Sequence, residues 1–238
     1  MKQIITIFIL TNSILTAYCQ DFKDIKPQLT DSTKIVKIDI DIKNEFERIY
    51  YIDYAANSQA KTDLTNFEPF NLDPSEELGM TYLRVMNNLK NKPPKISSNL
   101  PEKWVKVFKY KGDWVLYNDI PKRLLTDTYL ITFFMDGPFI SVIIDYKQDK
   151  NKYEYSLMSY NWDNPTTNLK SGLQIKIIDP KSLIALWRYE FQGQVTYDLM
   201  IPINQISHFP AMVMLENSLM DDEYDIFDEI NYEELWNK

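Results

Sequence analysis

A chain of 238 residues with 45% hydrophobic side chains is long and apolar enough to bury a core, and its net charge of −8 argues against a nucleic-acid partner, which wants a basic face. Five glycines against 16 tyrosines, 12 phenylalanines and 5 tryptophans weight the composition toward strands and aromatic-lined interiors. The acidity is local: from Glu216 to Lys238 nine acids accompany one base, so the rest of the chain sums to zero.

Met1 to Cys19 reads as a cleaved secretory leader. Lys2 supplies the positive start, Ile4 to Leu15 the apolar run, and Ala17 and Cys19 the small residues before Gln20. The expectation is a secreted or periplasmic protein, with lipid attachment at Cys19 as the alternative. Cys19 is the only cysteine, so the mature chain must hold together through its core and not through disulfides. No later stretch is long and apolar enough to span a bilayer. After the leader (1–19) we expect an N-terminal elaboration over 20–100, an antiparallel β domain over 101–215 and an acidic segment over 216–238.

Ile35 to Ile42 alternates, with Ile38, Ile40 and Ile42 on one face and Lys37, Asp39 and Asp41 on the other, as a half-buried strand should. The Asp-x-Asp pattern lacks the glycine and distal glutamate of a calcium loop, so these acids read as a solvent face. Ile49 to Tyr54 is a second strand, paired through a turn near Asn44, or part of a helix from Glu45 onwards; periodicity leaves both open. Ala55 to Asn71 reads as polar linker. Asp73-Pro74-Ser75-Glu76 predicts a helix start, with Asp73 as cap and the helix running to about Asn91. Its stripe Leu78, Tyr82, Val85 and Leu89 should cover one side of a sheet.

From Trp104 the pattern predicts strands at roughly 104–110, 114–118, 128–135, 139–146, 153–160, 173–178, 183–191, 195–203 and 210–215. The centre is Thr128 to Tyr146, an apolar hairpin around Asp136-Gly137. Spacing and turn signals predict a mainly β fold: an antiparallel meander forming a barrel or a sandwich, with the N-terminal strand pair and one covering helix at its margin. Trp162, in the loop Asn161–Gly172, reads as a plug for one barrel end or a mobile contact residue, and the plug is favoured because large aromatics usually bury most of their surface. Ile226, Phe227, Ile230, Leu235 and Trp236 make the acidic C-terminus amphipathic, and docking on the barrel is favoured over docking on a partner.

Chemistry-bearing motifs are sparse. His208 is the only histidine and no nucleophile motif accompanies it. One histidine and one cysteine do not make an ordinary zinc site, and no phosphate-cradling glycine motif is present, so no cofactor is expected. Asp127, Asp136, Asp145 and Glu190, in or beside apolar strands, leave a carboxylate-based hydrolase as the rival reading. The aromatics point elsewhere. Leu183, Ala185, Trp187, Tyr189 and Phe191 share one strand face, and Tyr153, Tyr155 and Leu157 another, so a closed sheet would enclose a lined cup. The ligand-lining candidates are Trp114, Phe134, Tyr155, Trp187 and Tyr189.

Lys111-Gly112-Asp113-Trp114 contains the Gly-x-Trp that opens lipocalin-type barrels, and an antiparallel meander follows it. Over Lys103 to Met214 the chain resembles that superfamily. The resemblance implies that Trp114 closes the barrel base and that Arg188, from a late strand, packs over it. The chain departs from the pattern in having a strand before Gly112, no paired cysteines, and an Ile35–Asn91 region without counterpart. The functional expectation is a non-enzymatic exported protein that binds an apolar small molecule or a protein surface. The alternatives are the hydrolase and an envelope or assembly protein docking through its acidic C-terminus.

Overall fold

The computed structural model describes residues 32–41, 46–67, 71–117, 122–134, 137–216 and 226–238. The expected leader, Asp136 and the first part of the acidic segment lie outside them. The strands are β1 (Thr33–Asp41), β2 (Phe46–Asp53), β3 (Lys103–Tyr110), β4 (Asp113–Tyr117), β5 (Lys122–Leu125), β6 (Tyr129–Phe134), β7 (Gly137–Asp149), β8 (Lys152–Tyr160), β9 (Asn168–Asp179), β10 (Ile184–Phe191), β11 (Gln194–Pro202) and β12 (Ala211–Glu216). The helices are α1 (Gln59–Thr65), α2 (Glu77–Asn87) and α3 (Tyr232–Asn237), with a 3-10 turn over Ile203–His208.

Strands β5 to β11 pair consecutively and antiparallel, and β3 pairs with both β11 and β5. That closes an eight-stranded antiparallel barrel. The far half of β3 leaves the barrel, pairs with β4 and continues into an extension ordered β4-β12-β2-β1. β12 and β4 are its parallel pair. The Ile49–Tyr54 segment thus resolves as strand up to Asp53, paired with both β1 and β12. Ile38, on the outermost strand, remains 41% exposed, because at this edge the strand's apolar face extends past what the core covers.

The tight turns follow from a few residues. Lys111-Gly112 (φ 51° and 90°) and Gln192-Gly193 (φ 50° and 80°) join their strands with positive φ at both central positions, where glycine in second place relieves the Cβ clash. In the central hairpin Phe134 pairs with Gly137, so Gly137 already belongs to β7, which it opens at φ 117°. Leu183, placed in a strand from sequence, sits in the preceding turn at φ 53°.

Helix α2 covers the outer face of the central hairpin, as its stripe predicts. Leu78 packs with Leu124, Ile131 and Ile140; Val85 packs with Val142 and Tyr160; Tyr82 and Leu89 lie beside them. It is shorter than the expected 74–91, and Asp73 is not its cap. The Asp73 carboxylate accepts the Ser75 amide and hydroxyl (both 2.8 Å), which makes a separate turn ahead of the helix. At the other end the Asn88 amide donates to the Pro165 carbonyl (3.0 Å), tying the helix terminus to the β8–β9 loop. Gly79 is fixed by close approach: a Cβ there would lie 2.0 Å from the Asp73 carbonyl oxygen.

The supposed linker Ala55–Asn71 contains α1. Ser58 caps it by accepting the Lys61 amide, and Ala60 and Leu64 enter the core. The polar residues between them mask this i, i+4 pair in the sequence. Its partner surface is a second core on the outer face of the barrel wall, where Val105, Leu186, Leu199 and Ile201 meet Leu116, Ala211 and Val213 of the extension. The C-terminus docks on its own chain. Phe227 stacks on Phe108 (4.4 Å), the Asp228 carboxylate accepts the Lys111 and Gly112 amides, and Tyr232, Leu235 and Trp236 pack against the second core. Trp162 is not a plug. It is 58% exposed, edge-on to Tyr160, because asparagine-based turns at Asn161 and Asn164 fold its loop on the outside.

Candidate functional site

The inside of the barrel divides into two halves. Toward the β5–β6 turn it is apolar: Trp104, Leu125, Leu130, Ile143, Leu157, Leu173, Trp187 and Met200 each come from a different strand of the barrel and form one buried cluster. The segment Ile96–Leu100 covers this end. The Ile96 amide donates to the Asp127 carbonyl (3.1 Å), and the Tyr155 hydroxyl donates to Ser98 Oγ (3.2 Å). Burial pushes the Tyr155 phenol far up, against a smaller downward pull from that hydrogen bond, so it stays a neutral donor.

Alternate residues of a strand share a face, so moving two residues toward the opposite end keeps the side chain inward. On the eight strands that step reaches Lys106, Arg123, Thr132, Ser141, Ser159, Ser171, Tyr189 and Asp198. Each is polar. Every strand of the barrel therefore contributes one inward polar residue to the same half, staggered as tilted strands require.

The charged members are in contact. Lys106 Nζ lies 2.7 Å from Asp198 Oδ1, and an Arg123 Nη pairs with Asp198 Oδ2. The Arg123 guanidinium also covers the Trp187 ring at 5.3 Å, and Trp104 meets that ring edge-on at 5.5 Å. Burial alone would raise the Asp198 carboxyl, but Arg123 and Lys106 together outweigh it and hold the group below its usual range. The side chains of Lys106, Arg123 and Asp198 keep 23%, 14% and 16% exposure. Water therefore reaches them inside the barrel. Ser141 and Ser159 share a hydrogen bond of 2.8 Å. Ser171 Oγ and Trp187 Nε1 are buried with no partner among the described residues.

Of the expected ligand-lining residues, Tyr155, Trp187 and Tyr189 meet inside the barrel. Trp114 does not, and Phe134, next after Thr132 on the inward face of β6, stands at the open rim of the polar half. Trp114 lies on β4 in the extension, where Lys109 Nζ sits 5.8 Å from its ring, and it borders a separate cleft of about 570 Å³ with Tyr54, Tyr110 and Phe209. Phe134 ends β6 with 52% exposure. Arg188 points outward to Gln174 and Glu190. The Trp–Arg contact that the lipocalin resemblance assigns to Trp114 and Arg188 is therefore not made by them; the arginine that covers a tryptophan inside the barrel is Arg123, over Trp187.

The carboxylate candidates among the described residues, Asp127, Asp145 and Glu190, do not form a buried pair. Asp127 meets Lys95 at 3.3 Å on the surface. Asp145 and Glu190 border one shallow outer groove with Glu154, but all three are exposed and Glu190 is bound by Arg188. His208 is exposed beside Gln205. Sequence reasoning missed Lys106, Arg123 and Asp198. The available signal was a charge flanked by apolar neighbours within a strand, as in Val105-Lys106-Val107 and Tyr197-Asp198-Leu199.

Set against protein-family models, curated proteins and solved structures, the chain matches none of them.

Proposed function

We propose that this chain is a non-enzymatic barrel protein that holds a small molecule in the polar half of its interior. One observation carries the reading: each barrel strand supplies an inward polar residue there, and water reaches the charged ones. A barrel built for packing alone would continue the apolar filling of its other half, since buried polar groups cost stability unless they are satisfied. The lining suits a ligand with polar groups better than a wholly apolar one. The hydrolase reading lacks support in the exposed acids of the outer wall, whereas Asp198 is committed to two cations. The same proposal takes the protein as exported, on the leader-like segment Met1–Cys19.

A fragment screen followed by amide NMR tests it. Fragments that bind in the barrel should shift the Ser171, Tyr189 and Asp198 amides together and leave those of α2 unmoved. A broad library that perturbs only outer-wall amides would overturn the reading.

A further inference from the structure

We infer that the barrel's polar half selects small organic anions, in particular carboxylates; the inference rests on the binding function proposed above and names the ligand class. Three features of the lining point the same way. The first is charge. Among the described inward residues of this half, Lys106 and Arg123 bring two positive charges and Asp198 one negative, which leaves a surplus of one cation in a chain whose net charge is −8.

The second is spare donor capacity. A guanidinium carries five N–H donors and an ammonium three. Asp198 takes one contact from each, and among the described residues their other close partners are ring faces, Trp187 for Arg123 and Phe108 for Lys106 at 5.0 Å. Aromatic faces attract cations but accept few of their hydrogen bonds. The third is the pair of unpartnered buried groups. Trp187 Nε1 is a donor only, and the Ser171 hydroxyl can donate. A buried donor without an acceptor costs about 1–3 kcal/mol, so an acceptor-rich occupant is favoured at this place.

A cationic ligand would meet two like charges, and a neutral apolar one would strand all of these donors. A carboxylate offers two oxygens with about four acceptor positions and can take a forked pair of bonds from an arginine. It would sit beside Asp198 and share its cations. Tyr189, partly buried and in the same half, supplies an aromatic wall for a short organic body.

A matched trio separates charge from shape: benzoate, benzamide and benzylamine, titrated into the full chain by calorimetry at low salt and neutral pH. Benzoate should bind at least about tenfold more tightly than benzamide, the size of a hydrogen bond to a charged group, and benzylamine should bind weakest. Ser171→Ala, which breaks no existing hydrogen bond, should keep its melting temperature and weaken benzoate several-fold. Arg123→Gln should remove the preference for benzoate over benzamide. Benzamide or benzylamine binding as well as benzoate would overturn the inference. Fragments that shift the interior amides with benzoate not among them would also overturn it, and would leave the barrel-binding function standing. If no fragment of any charge enters the barrel, both fall. Benzoate bound with its shifts confined to the cleft beside Trp114 would overturn the assignment to this site.

Discussion

The Asp198 cluster makes the sharpest stability prediction. Asp198→Asn removes the only described carboxylate of the polar half and leaves Lys106 and Arg123 facing each other with one negative charge fewer. Breaking a buried ion pair from one side costs about 3–5 kcal/mol, because a charge is left uncompensated. Two features lower that figure here: asparagine keeps a neutral acceptor, and the cations retain 14–23% exposure, so water screens part of the repulsion. The expected loss is about 2–4 kcal/mol at pH 7, or about 5–15 °C in Tm for a domain of this size. The pH dependence has a fixed sign. The folded Asp198 carboxyl is held below its unfolded value of about 3.9, so its contribution is complete above that value. It is lost as pH falls further, through the lower folded pKa. The gap between wild type and variant should therefore stay constant from pH 8 to 5 and narrow below about pH 4. Urea denaturation followed by tryptophan fluorescence across that range measures it. A variant with wild-type stability at pH 7, or a gap that does not narrow in acid, would refute the ion-cluster account.

Two further changes test the fold. Gly79→Ala should destabilise by about 1–3 kcal/mol in urea denaturation, because its Cβ would lie 2.0 Å from the Asp73 carbonyl oxygen; helix propensity alone predicts the opposite, a gain of about 1 kcal/mol. Phe227→Ala should lower stability by about 1–2 kcal/mol, since the half-buried ring loses its stack on Phe108, and deletion of 226–238 should cost more; a truncated chain with unchanged Tm would argue that the C-terminus serves a partner.

Where one period dominated and one face was covered, the sequence was a good guide. Leu78, Tyr82, Val85 and Leu89 fixed the contact face of α2 because a 3.6-residue stripe has one way to meet a sheet. Apolar runs and Gly turns located most strands to within a few residues. The misses have separate causes. β5 is four residues long and begins with Lys122-Arg123, too short for alternation to register. α1 carries only Ala60 and Leu64 as apolar contacts on two turns. Asp73-Pro74-Ser75-Glu76 looked like a capping box, but Asp73 turned its carboxylate to Ser75, and the following chain entered the helix only at Glu77. Asp136-Gly137 pointed to the central hairpin, yet Gly137 pairs with Phe134 as the first residue of β7, because the register of β6 on β7 is a tertiary property.

The candidate site was hidden for a different reason, which also bears on its function. Strands β3, β10 and β11 are covered on both faces, by the barrel interior and by the second core, so their apolar residues carry no information about which face is inside. Trp187, Tyr189 and Tyr155 could be placed in a cup because they are large aromatics on strand faces, whereas their own strands alone did not single out Lys106, Arg123 and Asp198. Only closure of the sheet through β3 brings Lys106, Arg123 and Asp198 to the same place, from pairings far apart in sequence. Doubly covered strands turn this ambiguity into evidence. A charge between buried neighbours, such as Lys106 between Val105 and Val107, turns into the barrel, where its side chain keeps 23% exposure. Among the described residues of the polar half, the single charge of Asp198 balances only one of the two cations. Hydrophobic replacements of similar volume are often neutral or stabilising at such positions. Packing therefore gives no reason for the second cation, whereas an anionic occupant does.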